Sequence, residues 1–258
     1  EPRQGPGATA TGPATGPAML RITELRRNAG AGRVRLVRGD ILIAVEGQPF
    51  AGTADTLEDR IKTAPTPPVL TFLRAGVVFH VFGQAPFGAT FGPLEPDEAA
   101  EAAAAQARLE ALIPEPGQMR AFDIFRNRDG WADLRDRSNS FMAMIAPPLW
   151  MLNQRFYEGA VASTLTLATA FVVHWVLGFM ALVLMCLYVG REQQGLTRSF
   201  LLYRNFYPIY ALAAANELEA QRTTLALNPN LAFVFSADPS FPRAPVPPEP
   251  ALGAEPAE

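Results

Sequence analysis

The chain has 258 residues, a formal net charge of −3 and an isoelectric point near 5.6, so it offers no global basic field to attract nucleic acid. A single cysteine, Cys186, excludes an intrachain disulfide framework and a multi-cysteine metal site. His80 and His174 are the only histidines, and no HExxH, Walker A, GxGxxG or GxSxG pattern occurs, so the reading is non-enzymatic with no cofactor.

Residues 1–17 are mostly Gly, Pro, Ala and Thr, which leaves little to bury and predicts a flexible lead-in. They lack the apolar core of a cleavable signal peptide, and the absence of an initial methionine suggests an upstream segment. "AMLRITEL" then shows a two-residue alternation, and "RRNAGAGR" breaks it with two glycines. "DILIAVEGQPF" reads as a short buried strand and a turn. "TADTLEDRIKTA" predicts a helix capped by Asp55, with Glu58 three residues on and Leu57 and Ile61 on one face. "PPVLTFLRAGVVFHVFG" predicts a hairpin turning at Ala75-Gly76.

Gly39-Asp40-Ile41, Val45-Glu46-Gly47-Gln48-Pro49-Phe50, Leu57, Ile61 and Leu73-Arg74-Ala75-Gly76 together resemble the bacterial PDZ domain, over roughly residues 15–92. In that family an extended peptide adds as a strand, and free backbone N–H groups hold its carboxylate. The resemblance implies a groove lined by Met19, Leu20, Ile22, Leu57 and Ile61. Pro17 removes one donor from the carboxylate loop, and Gly16 lies earlier than the family pattern places it. An apolar peptide groove and a scaffold that packs on its own spacer or a neighbouring subunit therefore both stay open. Asp40 reads as a turn cap, and His80 as a surface or half-buried strand residue.

"EPDEAAEAAAAQARLEALIPEPG" is rich in alanine and acid, with Pro96 to start a helix and Pro114 to stop it. With almost no apolar stripe it reads as a semi-rigid spacer over 96–114. From 119 the character changes. Between Gly159 and Gly190 there is no Asp, Glu, Lys or Arg, which predicts membrane insertion. One helix over that run would measure about 48 Å against a hydrocarbon core of ~30 Å, so a hairpin fits better. "HWVLG" and Gly178 offer its turn, where His174 either marks the far interface or acts inside the membrane. Arg135, Arg137 and Arg155 on one flank, and Arg191, Arg198 and Arg204 on the other, put both ends on the cytoplasmic side. Trp150, Arg155, Tyr157 and Arg191 are the expected interface anchors, and Arg155 and Glu158 are spaced to pair.

"NSFMAMIAPPLWMLNQRFYEGA", the apolar stretch and "YVGREQQGLTRSFLLYRNFYPIYALAAANELEAQR" resemble the bacterial domain-of-unknown-function 2628 family, over roughly 120–223. That family has no known activity, and "GREQQG" departs from its usual exit. The Pro-rich end, 237–258, reads as disordered.

The expected class is thus an α+β multi-domain membrane protein. It would comprise a small PDZ-like β-rich domain (18–92), the helical spacer, and a membrane domain (119–223) with an apolar helical hairpin near 147–190. Its expected work is that of a membrane-anchored adaptor or accessory subunit at the bacterial inner membrane, with a protein partner and the lipid bilayer. A structural subunit of a larger membrane complex and a regulatory component of a proteolysis system are the alternatives.

Overall fold

The structure is a computed structural model that describes residues 19–26, 29–50, 52–109 and 116–244. The lead-in 1–17, the end of the expected spacer and the last part of the Pro-rich tail lie outside the described residues.

All five side chains of β2 (Ile41–Val45) are buried. A strand without polar alternation has to be covered on both faces, and that requirement organises the first half of the chain. Leu42 and Val45 join one core with Ile22 of β1 (Leu20–Leu25) and Leu57 and Ile61 of α2 (Ala54–Thr63). Leu70 and Phe72 of β4 (Val69–Arg74) and Phe79 and Val81 of β5 (Val77–Phe82) complete it. Ile41, Ile43 and Ala44 face the other way, onto Ala102 and Ala105 of α3 (Pro96–Leu109). The helix read as a free spacer is therefore a packed layer. Its alanines make the contact, because small side chains let a helix lie close to a strand. Gln106 donates its amide to the Ile43 carbonyl at 2.9 Å, and Arg21 pairs with Glu98 at 3.2 Å.

Local signals hold with one change. The hairpin turns at Ala75 and Gly76, with φ of 47° and 78°, as a two-residue turn matched to strand twist requires. At α2 the cap is Thr53 rather than Asp55: Thr53 and Thr56 each accept from the other's backbone N–H, and Asp55 falls in the first turn. Glu58 instead accepts from the Phe87 N–H at 2.9 Å.

Residues 119–223 were expected to form a membrane domain with its apolar hairpin near 147–190, and the chain on either side of that hairpin is sheet. β7 (Arg120–Arg126), β8 (Trp131–Asp136), β9 (Tyr207–Ala214) and β10 (Ala232–Phe233) extend the strands of the first half. With β3 (Gln48–Pro49) paired off β2 and β6 (Ala89–Gly92) at the far end, they form one ten-stranded sheet ordered β10-β8-β7-β9-β5-β4-β2-β1-β6. Ile124, Leu212, Leu231 and Phe233 of the second half lie in the same core as Ile22 and Phe72, so the two halves share apolar packing. α8 (Glu217–Leu227) follows β9, started by Asn216 accepting from the Glu219 N–H at 2.9 Å while Glu219 accepts from the Ala215 N–H. Part of the expected disordered tail is packed too. Phe233 donates to the Pro242 carbonyl, Ala244 donates back to Phe233, and Phe241 sits against the core.

Between β8 and β9 the chain leaves the sheet for four helices: α4 (Phe141–Ile145), α5 (Pro147–Asn153), α6 (Tyr157–Val173) and α7 (Trp175–Tyr203). Among the described residues α7 alone is long and apolar enough to cross a membrane, and α6 is a shorter apolar helix. They are joined at His174, whose Nδ1 accepts from the Val176 N–H at 3.2 Å. Gly178 is not the turn. It lies inside α7, where the Phe171 ring occupies the space a Cβ would need.

One ion pair ties the first half together. Asp40, fully buried, accepts from the Val37 N–H and receives Arg74 Nε and Nη2 at 2.6 and 2.7 Å. Arg74 also lies over Phe79, 4.8 Å from its ring centre. Removing one partner of such a pair strands the other charge out of water. Arg74→Ala is therefore expected to lower unfolding stability by about 3–5 kcal/mol. Urea unfolding of the detergent-solubilised protein measures this, and a loss below about 1 kcal/mol would show the pair to be no more than a surface contact.

Candidate functional site

Four of the five expected groove residues come together, but not around an open groove. Ile22, Leu57 and Ile61 are buried in the main core, with Leu20 packed against it. Met19 points to the opposite face and packs with Leu94 beside α3. The space between β1 and α2 is filled by the chain itself. β6 pairs antiparallel along β1, from Arg21 opposite Gly92 to Leu25 opposite Ala89. Phe87 is buried in the same cluster, and Phe91 stacks on it at 6.2 Å. The edge at which a peptide would add as a strand is thus already paired.

The expected interface anchors also divide. Trp150 is only 2% exposed and is packed with Ala143, Phe156 and Val189, so its indole does not reach an interface. Tyr157 is exposed at the first turn of α6, and Arg191 is exposed on α7 one residue past Gly190. Arg155 does not pair with Glu158. It occupies the left-handed position that closes α5, with φ 61°, and its guanidinium stacks on Phe235 at 3.3 Å. Arg155 and Phe156 donate to the Leu152 and Met151 carbonyls, the double bond of a Schellman turn.

The paired helices expose a long apolar surface. Val172 at 87%, Val173 at 68% and Leu165 at 62% are open on α6, and Trp175, Phe179, Leu184 and Tyr188 are open on α7. Aromatic contacts help join them: Phe171 of α6 lies against Phe179 of α7 at 5.6 Å, and Phe156, just before α6, lies against Phe200 at 4.3 Å.

The seam between the two halves holds His80, half-buried on its strand as expected, beside groups that sequence reading missed. His80 of β5 is opposite Ala213 of β9, and its Nδ1 lies 3.0 Å from the Thr71 hydroxyl. Nearby, Asp123 of β7 faces a cleft to which Arg33 and Arg35 come from the loop after β1, Arg137 from the end of β8 and Arg198 from α7. These arginines are spread along the chain with no spacing in common, so no motif could have announced them. Burial raises the Asp123 carboxyl above its ordinary range, and Arg137, Arg198 and Arg35 pull it back. No group of three or more metal-ligating side chains occurs among the described residues.

Comparison with known proteins returns no matching family model, no similar characterised protein and no similar solved structure.

His80 gives the seam a pH dependence. Burial disfavours the charged ring and lowers its pKa below the ordinary 6.5, with Glu219 acting weakly in the other direction. As pH falls, the unfolded chain takes the proton before the folded one. The histidine's contribution is therefore intact above about pH 6.5 and lost as pH drops below it. The Asp123 shift has the opposite sign: its folded carboxyl keeps a proton that the unfolded chain releases above 3.8, in a more acidic window. Denaturation midpoints of the wild type are expected to fall between about pH 7.5 and 5.5, and His80→Asn to flatten that slope. An unchanged slope in the variant would remove His80 from the account.

Proposed function

We propose that the chain is a non-enzymatic, membrane-anchored adaptor or accessory subunit. It is held at the bacterial inner membrane by the α6–α7 hairpin, with its β-rich part on the cytoplasmic side for a protein partner. The observation that carries this reading is the exposed apolar surface of α6 and α7, within a stretch free of Asp, Glu, Lys and Arg from Gly159 to Gly190. A large aliphatic or aromatic side chain gains about 1.5–3 kcal/mol on leaving water, and nothing else in the described chain covers these. Both ends of the hairpin return to the same sheet, through β8 and β9, which favours one side of the membrane for both.

The element order β1, β2, α2, β4 and β5 is the one the PDZ resemblance of the sequence calls for, and that resemblance is what supports protein–protein binding as the task. The pairing of β6 along β1 favours the accessory-subunit form of the proposal over capture of free peptides. A peptide would first have to displace this strand and the Phe87–Phe91 pair.

Flotation of the purified full chain with phospholipid vesicles tests the anchor. The wild type is expected to float, and Leu184→Arg, which places a charge in the apolar part of α7, to lose roughly a hundredfold in partitioning. A wild type that stays in the aqueous fraction would overturn the reading. Reporter fusions to the two ends are expected to give the same cytoplasmic signal, and opposite signals would sink the hairpin.

A further inference from the structure

At the base of the helical hairpin a cavity of about 200 Å³ lies between the sheet and α7, bounded by Arg135, Trp150, Gln154 and Gln193. It shares Asp123, Phe125, Arg137 and Arg198 with the neighbouring, wider cleft of about 510 Å³, which also holds Arg33 and Arg35. Two of the residues that line it carry a buried donor with no acceptor: Trp150 Nε1, on a side chain 2% exposed, and Arg135 Nε. A buried donor left unpaired costs about 1–3 kcal/mol, so both favour an acceptor in this space.

Charge points the same way. Arg135 is neutralised by Asp133 at 2.8 Å, and Arg137 faces Asp123 at 3.5 Å. Asp136, also on the cavity wall, faces Arg120 at 3.7 Å. Arg33, Arg35 and Arg198 make no ion pair among the described residues, and Arg35 and Arg198 share with Arg137 the single carboxylate of Asp123. The cleft thus sets four arginines against that one carboxylate, an excess of positive charge that an anion would relieve.

Arg35 adds a geometric observation. It has φ 61° and closes the short helix Gly30–Arg33, with Arg35 and Leu36 donating to the Gly32 and Ala31 carbonyls. Glycine is the residue that this left-handed position favours. A side chain there is held at a cost in backbone energy, which is common at binding sites. The loop is rigid as well, because Gly30 and Ala31 donate to Pro86 and Phe87, and a Cβ on Gly30 would collide with the Gln84 carbonyl.

The geometry points to a binding site for a phosphate-bearing anion, the headgroup phosphate of an anionic lipid, with Arg35 and Arg198 as its main cationic contacts and Trp150 Nε1 and Arg135 Nε as further donors. Guanidinium groups suit this ligand because their N–H groups match phosphate oxygens in pairs. The choice of a lipid rests on the membrane reading. Gln193 to Arg198 lie three to eight residues past Gly190, the end of the uncharged run. At 1.5 Å per residue that is about 5–12 Å along α7, at and just above the headgroup layer.

The test uses the full chain with phosphatidylcholine vesicles, with and without phosphatidylglycerol, and with sn-glycerol 3-phosphate in detergent micelles. Tryptophan fluorescence and flotation are the readouts. The wild type is expected to bind the phosphatidylglycerol vesicles about tenfold or more tightly than phosphatidylcholine alone. Arg198→Gln and Arg35→Gly are expected to lose most of that preference. Arg128→Gln, an equal loss of charge on the exposed turn between β7 and β8 and outside the cleft, is expected to keep it. Arg35→Gly should melt no lower than the wild type, since it relieves the left-handed backbone, so its loss of binding cannot be assigned to unfolding.

Equal flotation with both vesicles would overturn the cleft and leave the anchor standing. An Arg128→Gln loss as large as that of Arg198→Gln would overturn it too, as a diffuse surface attraction. A chain that floats with neither vesicle, yet responds to glycerol phosphate through Arg198, would support the phosphate site with a soluble source and overturn the membrane anchor.

Discussion

Between Gly159 and Gly190 the chain carries no Asp, Glu, Lys or Arg, and the rest of the fold is arranged around that stretch. Two apolar helices that expose their valines, leucines and aromatics cannot be covered by a sheet whose own faces are already occupied. The chain handles them as an excursion. It leaves the sheet after β8, doubles back at His174 and returns as β9 on the other side of β7. The buried cluster of Ala143, Trp150, Phe156 and Val189 sits at the root of this excursion and joins α4 and α5 to α7. Gln193 fastens the same root, accepting from the Ser140 N–H at 2.9 Å.

The sheet is the complementary body. Its first half would be a small unit with one face on α2 and the other on α3. What makes it larger is the pairing of β5 with β9 and a core in which Ile124, Leu212 and Phe233 meet Phe72 and Val81. The β-rich half and the helical excursion are therefore mechanically joined through β7 and β9, strands that belong to neither alone. The polar groups follow the same logic: Asp40 and Arg74 lock the first half, while Asp123 and the surrounding arginines gather where sheet, loop and α7 meet.

Sequence reading reached the local elements because their causes are local. Ala75-Gly76 could be seen as a turn since few dipeptides accept positive φ twice, and Leu57 and Ile61 announced the buried face of α2 by their spacing. It mistook α3 for a spacer because the contact is made by Ala102 and Ala105, and alanine is equally at home in an exposed helix. It placed Trp150 at an interface by residue type, where the structure packs it in a core. It could not choose between a free groove at β1 and α2 and a self-packed scaffold, and the structure pairs β6 along β1. Backbone pairing leaves almost no mark on the short strand that supplies it.

What the sequence by itself determined was the period and polarity of each segment: short strands, an alanine-rich helix, and an uncharged run too long to be ordinary. Those follow from the side chains and the reach of one or two helical turns. Only the tertiary structure decided which edges meet, since strand pairing joins residues more than a hundred positions apart, as with His80 and Ala213. An even longer stretch of chain separates Arg35 from Arg198. Neither is remarkable along the chain, and they form a site only because the loop after β1 and the base of α7 are brought to the same cleft.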